Sequence, residues 1–203
     1  YMKLIYKIFL SFFLIFFISC SNLPPSNTSN ICKIFEEKSS WYKAAKKAEK
    51  NWKVPISVTM SFIKQESSFI AEAKPPRSKL LGFIPWKRPT SAKGYAQVID
   101  GTWEMYLKER GGWFRDRSDF DDAVDFIGWY NYKTHKDMGI SLKDARSLYL
   151  VYHEGKAGYR KGNHRKKPWL LSVGDKVQRQ ANKYDSQYQG CKKKLGRRFF
   201  IFF

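Results

Sequence analysis

The stretch that follows Pro55 constrains this chain more than any other. Apolar residues at Ile56, Met60, Ile63 and Phe69, with Phe62 beside them, recur at roughly helical spacing, and Pro is favoured at the start of a helix. A segment with that pattern must lay an apolar face on a core. In Ile63-Lys64-Gln65-Glu66-Ser67-Ser68-Phe69 the acid Glu66 then falls in the last turn, where the helix dipole disfavours a carboxylate. Taken alone, Glu66 reads as a solvated helix glutamate, because Glu is rarely buried. Enclosed by protein, the same carboxyl would gain proton affinity by desolvation and become fit to act as a general acid near neutral pH.

The rest of the chain reads as further helices. Ser39 to Trp52 places Trp41, Ala44, Ala45, Ala48 and Trp52 on one side. Asp100 can cap a helix to about Arg110 that stops at Gly111-Gly112, and Asp119 to Met138 is an amphipathic helix ended by Gly139. Ser141-Leu142-Lys143-Asp144 reads as a capping box opening a helix to about His153, with Gly155 as its stop. A last helix is expected near Ser172 to Tyr184, from Val173, Val177, Ala181 and Tyr184. Between Ala73 and Lys93, Pro75, Pro76, Gly82, Pro85 and Pro89 predict an irregular loop with short strands at most. The fold class is mainly α, an α+β arrangement with one small irregular or β region, and 203 residues suffice for one domain with appendages.

The amino-terminal part has the character of an export signal. Lys3 and Lys7 precede a nearly unbroken apolar run from Ile8 to Ile18, too short for an ordinary membrane span. Residues 1–19 therefore read as a signal peptide, with a retained anchor as the alternative. The ending Phe17-Ile18-Ser19-Cys20 resembles the bacterial lipoprotein box, which would make Cys20 the lipidated residue and residues 20–31 a flexible tether. By analogy with lipoprotein sorting, Ser21 favours the outer membrane, with the domain facing the periplasm. In an exported protein Cys32 and Cys191, at opposite ends of the domain, can pair in a disulfide or stand as two separate thiols.

A formal net charge of +20 suits three polyanionic partners: nucleic acid, an anionic lipid surface and an acidic wall polymer. No RNA-binding aromatic signature or zinc-finger spacing is present, and an export signal argues against nucleic acid. His135, His153 and His164 lie far apart with no Cys beside them, so neither a metal nor a cofactor is expected. The basic and apolar segment 192–203 reads as a tail outside the domain, too short in its apolar part to span a membrane.

Four motifs in order carry a family resemblance. Glu66-Ser67 is followed by Gly94-Tyr95-Ala96-Gln97, similar to a Gly-Leu-Met-Gln motif, and by Ala123-Val124-Asp125-Phe126-Ile127-Gly128-Trp129-Tyr130. Tyr149-Leu150-Val151-Tyr152-His153-Glu154-Gly155 then stands where an Ala-Tyr-Asn-Ala-Gly segment is usual, with His153 and Glu154 as departures. Together they resemble the lytic transglycosylases of the soluble (SLT) type, in the lysozyme-like superfamily. The resemblance implies a lysozyme-like domain over 32–191 acting on peptidoglycan strands, with Glu66 as the one catalytic acid. It further implies that Ser67 contacts an N-acetyl group and that Gln97 holds the sugar backbone. Gly128 and Tyr130 would line the cleft, and Tyr152 would bring its hydroxyl near Glu66. His153 and Glu154 complete the expected binding set. Glu154 is either a second cleft carboxylate, which would permit lysozyme-like hydrolysis, or a capping and salt-bridging residue. A non-catalytic wall-binding lipoprotein is the remaining alternative.

Overall fold

Residues 23–200 are described by a computed structural model, so the expected signal peptide at 1–19 and the expected lipidation site Cys20 lie outside the described residues. Seven α-helices occur among them: α1 (Ile31–Glu37), α2 (Ser39–Trp52), α3 (Ile56–Ser67), α4 (Asp100–Arg110), α5 (Phe120–Met138), α6 (Ala145–Arg160) and α7 (Pro168–Phe200). A two-stranded antiparallel hairpin, β1 (Lys79–Leu80) with β2 (Ile84–Pro85), and a short 3-10 turn at Asn163–Lys166 are the other regular elements. The domain is thus mainly α and lysozyme-like, with its small β element inside the segment expected to be irregular.

Helix α3 is the buried axis. Every residue from Ile56 to Ile63 is buried, including Ser57, Thr59 and Ser61, so the helix is enclosed all round and not only along its apolar stripe. Ser61 tolerates this because its hydroxyl donates to the Val58 carbonyl at 2.7 Å. The long helix α7 covers α3, and α5 packs on α2. The aromatics lock the layers: Trp41 of α2 stacks on Phe120 of α5, centroids 3.9 Å apart, and Phe69 lies against Trp41 at 5.9 Å. Gly128 serves this packing. A Cβ there would meet the Trp52 ring at 2.4 Å, so Gly128 seats Trp52 on α5 and is not a cleft residue as expected.

Two boundary expectations are corrected. From Pro25 the presumed tether is docked on the domain: Ser26 donates to Glu37 through its N–H at 3.0 Å and its hydroxyl at 2.8 Å. Gln187 holds the Ser29 carbonyl, and the Asn30 side chain caps α1, accepting from Cys32 at 3.0 Å and Lys33 at 3.2 Å. The expected tail 192–203 is, as far as Phe200, the continuation of α7. Its apolar stripe does not stop at Tyr184, because Tyr188 and Leu195 carry it on as buried positions. Cys32 on α1 and Cys191 on α7 form a disulfide with Cα atoms 6.1 Å apart, tying the two ends of the domain together.

The caps differ in detail. Helix α4 has Ile99, not Asp100, at its N-cap, while Asp119 caps α5 by accepting from Asp122. Asp144 rather than Ser141 caps α6, accepting from Ser147 at 2.9 Å. Gly155 breaks α6 at φ 68°, ψ 160°, but the helix resumes beyond it to Arg160.

Candidate active site

Helix α3 ends abruptly one residue past Glu66. Ser68 and Phe69 both take left-handed backbone angles, φ 51° and 66°, and Phe69 is fully buried. Two successive non-glycine residues in that region carry strain, held in place here by the Phe69 anchor. The turn leaves Glu66 at the edge of the core, part accessible, on the wall of a cleft of about 550 Å3.

The second wall is the Gly94-Tyr95-Ala96-Gln97 turn. Gly94 has φ +82° and its missing Cβ would lie 2.0 Å from the Arg117 carbonyl oxygen, so only glycine fits this close approach. Tyr95 donates its N–H to that same oxygen at 3.1 Å and buries its ring edge-on to Trp41 and Phe120. Gln97 is itself left-handed at φ 47°, and its Nε2 donates to the carbonyls of Ala73 at 2.8 Å and Gly94 at 2.9 Å. With the amide nitrogen so committed, the end of Gln97 that remains to meet a ligand donor is its carbonyl oxygen.

Helices α5 and α6 close the floor. Phe126, Tyr130 and Tyr152 line the cleft, with the Tyr130 and Tyr152 rings edge-to-face at 5.1 Å and Phe62 behind Tyr152 at 5.5 Å. Tyr152 is near enough to Glu66 to feel its charge, but its hydroxyl donates to the Ala96 carbonyl at 2.5 Å. It therefore fastens α6 to the Gln97 turn instead of presenting a free hydroxyl to Glu66. Tyr149, one turn earlier on the same face of α6, makes the hydrogen bond to Glu66. That residue was not singled out in the sequence, though its i, i+3 relation to Tyr152 was there to read.

This enclosure sets the electrostatics. Burial pushes the Glu66 carboxyl up from 4.5 to about 7, opposed by the Tyr149 hydroxyl, which stabilises the charged form. Glu154 behaves oppositely. It lines the cleft as a second carboxylate and also forms salt bridges, to Lys167 at 2.7 Å and to His153 at 3.1 Å, which lower its proton affinity, the Lys167 hydrogen bond most. Glu154 thus both borders the cleft and forms salt bridges. His153 stands at the cleft edge with its ring against Trp169, centroids 5.2 Å apart. Ser67 departs from expectation: it is buried outside the cleft wall, and its hydroxyl donates back to the Ile63 carbonyl at 3.1 Å, as a serine four residues along a helix can. Among the described residues no group of three or more His, Cys, Asp or Glu is placed to hold a metal ion.

A carboxyl of raised proton affinity on the wall of a tyrosine-lined cleft, with a glutamine turn as the other wall, is built here by residues of the four ordered motifs. The family described as the transglycosylase SLT domain matches residues 8–191. The chain belongs to that family. Its SLT domain is accordingly a peptidoglycan transglycosylase in the general sense, with the glycan strand of the cell wall as substrate. No curated protein and no solved structure matches the chain.

Proposed function

We propose that this SLT domain cleaves the β-1,4 bond between N-acetylmuramic acid and N-acetylglucosamine without water, leaving 1,6-anhydromuramic ends. The observation that carries the reading is the Glu66 carboxyl, raised to about 7 by burial on the wall of the cleft. In the first step neutral Glu66 gives its proton to the glycosidic oxygen as the C1–O bond breaks. The positive charge developing at C1 lies over the Tyr130 and Tyr152 floor, and ionised Glu66 on the wall beside it is a counter-charge. The muramic C6 hydroxyl oxygen then bonds to C1 and its proton returns to Glu66, which restores the starting acid and consumes no water.

Glu154 bears on the alternative. A hydrolytic, lysozyme-like route needs a second carboxylate to activate water or to attack C1. Glu154 is held ionised, with Oε1 engaged by Lys167 and His153, so it is a weak base with one of its two oxygens already in use. That favours the internal hydroxyl over water. Hydrolysis remains the second reading because Glu154 does face the cleft. In the cell the domain acts as an exported lipoprotein, anchored through Cys20 at the outer membrane and facing the periplasm. The test of catalysis is Glu66→Gln: loss of sacculus lysis with sacculus binding retained supports the enzyme, and unchanged lysis removes Glu66 from the mechanism. A wild-type protein that binds sacculi and never cuts them would instead be a wall-binding lipoprotein.

A further inference from the structure

Between the cleft-wall residues Pro75 and Thr90 the chain leaves the body of the domain as the β1–β2 hairpin, whose end carries apolar side chains that nothing among the described residues covers. Leu81 is 76% exposed, Phe83 72% and Trp86 50%. Large apolar side chains left exposed together at the end of one hairpin mark a candidate interaction site. The hairpin is stiff enough to present them. Trp86 N–H donates to the Ser78 carbonyl at 2.7 Å and Ser78 N–H to the Lys87 carbonyl at 3.0 Å, with the Ser78 hydroxyl doubling the latter bond at 2.7 Å. At the apex Leu81 and Gly82 both have positive φ, 54° and 82°. A leucine rarely adopts that conformation, and here the turn sets it out in solvent.

The charge around these residues is of one sign. From Lys74 to Lys93 the cations are Lys74, Arg77, Lys79, Lys87, Arg88 and Lys93, with no acid among them. Lys93 is engaged by Glu72 and Asp116, and the other five form no ion pair among the described residues. We propose that the hairpin is a membrane-surface anchor: Leu81 and Phe83 enter the acyl boundary of a bilayer rich in anionic phospholipid, Trp86 sits at headgroup level, and Lys79 with the cations that flank the hairpin on both sides meets the phosphates. Interfacial segments combine these elements, apolar residues for insertion and flanking cations for anionic headgroups. A neutral glycan would make use of Phe83 and Trp86 but not of the unpaired cations, and an acidic wall polymer would use the cations but gains little from a leucine apex. A second exposed pair, Trp113 and Phe114, is rooted on the same part of the domain, since Arg117 holds the carbonyls of Ser91 at 3.2 Å and Val98 at 3.0 Å. Because Pro75, Thr90 and Ala92 at the hairpin's foot also wall the cleft, insertion fixes how the cleft faces relative to the bilayer.

The full chain tests this with Cys20→Ser and Phe83→Cys combined, an environment-sensitive fluorophore on position 83, and Cys32–Cys191 kept oxidised. Phosphatidylglycerol-containing vesicles are expected to give a blue shift and quenching by acyl-chain nitroxides, absent with pure phosphatidylcholine and absent for the same label after Lys161→Cys. Replacing Lys79, Lys87 and Arg88 by Gln should weaken the position-83 signal by about tenfold or more. Leu81→Ser with Phe83→Ser should leave cleavage of soluble glycan fragments unchanged, which separates this surface from the reaction. The proposal is overturned by a label that stays in water while the chain floats with anionic vesicles, or by an equal shift on neutral ones. It is overturned equally by a shift that soluble glycan produces, or by a label already dry without vesicles because the chain's own ends cover it.

Discussion

The Tyr149 hydroxyl is hydrogen-bonded to the Glu66 carboxyl, and it is the one group that works against burial in setting that acid's proton affinity. The two residues come from α6 and α3, so the acid strength of the site depends on how these helices are held together. Tyr149→Phe removes a donor to the charged form, and the Glu66 pKa must move up further. The expected result is an alkaline limb of the pH–rate profile displaced to higher pH, with the rate on its plateau lowered about two- to tenfold, the worth of one hydrogen bond. An unmoved limb would mean that Glu66 does not govern the profile.

The same shift is a statement about stability. Folded Glu66 keeps its proton to about pH 7, whereas in the unfolded chain it ionises near 4.5. Below 4.5 both states are protonated and the group contributes no difference. As pH rises between 4.5 and 7 the unfolded chain releases the proton first, so stability is lost across that window. Glu66→Gln should therefore raise stability by up to about 3 kcal/mol at pH 8 and leave it nearly unchanged at pH 4. Denaturant unfolding of both proteins at the two pH values measures it.

Gly94 and Gly101 make a matched pair. At Gly94 a methyl would strike the Arg117 carbonyl in a left-handed backbone, while at Gly101 nothing lies within 4 Å. Gly94→Ala should cost about 3 kcal/mol or more and displace Gln97 with loss of activity. Gly101→Ala, in the first turn of α4, should be neutral or stabilising by up to about 1 kcal/mol. Thermal unfolding and sacculus lysis, run together on both variants, give the comparison.

Most helices could be read from the chain because their signals are local. Ser39–Trp52 and the Gly111 and Gly139 stops were legible from spacing and glycine chemistry alone. The extent of α7 was not, although Tyr184, Tyr188, Cys191 and Leu195 continue its period. Lys192, Lys193 and Lys194 fill the interval between Cys191 and Leu195, and such a run reads equally as a solvated helix face or as a loose end. At the site, the gathering of Glu66, Gln97, Tyr130 and Tyr152 about one cleft was legible because their motifs are ordered. Ser67 was misread, since only the structure reveals that its hydroxyl closes on its own helix. Tyr149 and Lys167 were missed because each acts through a partner distant in sequence, Glu66 or Glu154.

The disulfide joins positions 159 residues apart, so in the chain-entropy account it removes a large share of the unfolded state's freedom. Replacing Cys32 and Cys191 together by Ser should lower stability by about 3–5 kcal/mol. Activity at 25 °C should survive, because neither residue lines the cleft. Urea midpoints under oxidising and reducing conditions test this: the wild type should shift on reduction and the double variant should not.

The central claim is that Glu66 acts alone, handing a proton to the leaving sugar and taking one back from the muramic C6 hydroxyl. Mass spectrometry of the fragments released from purified sacculi reads this directly. Muramic ends one water lighter than the reducing sugar are expected, formed by the wild type and lost with Glu66→Gln. Reducing muramic ends as the sole product, or anhydro ends still made at full rate by Glu66→Gln, would contradict it.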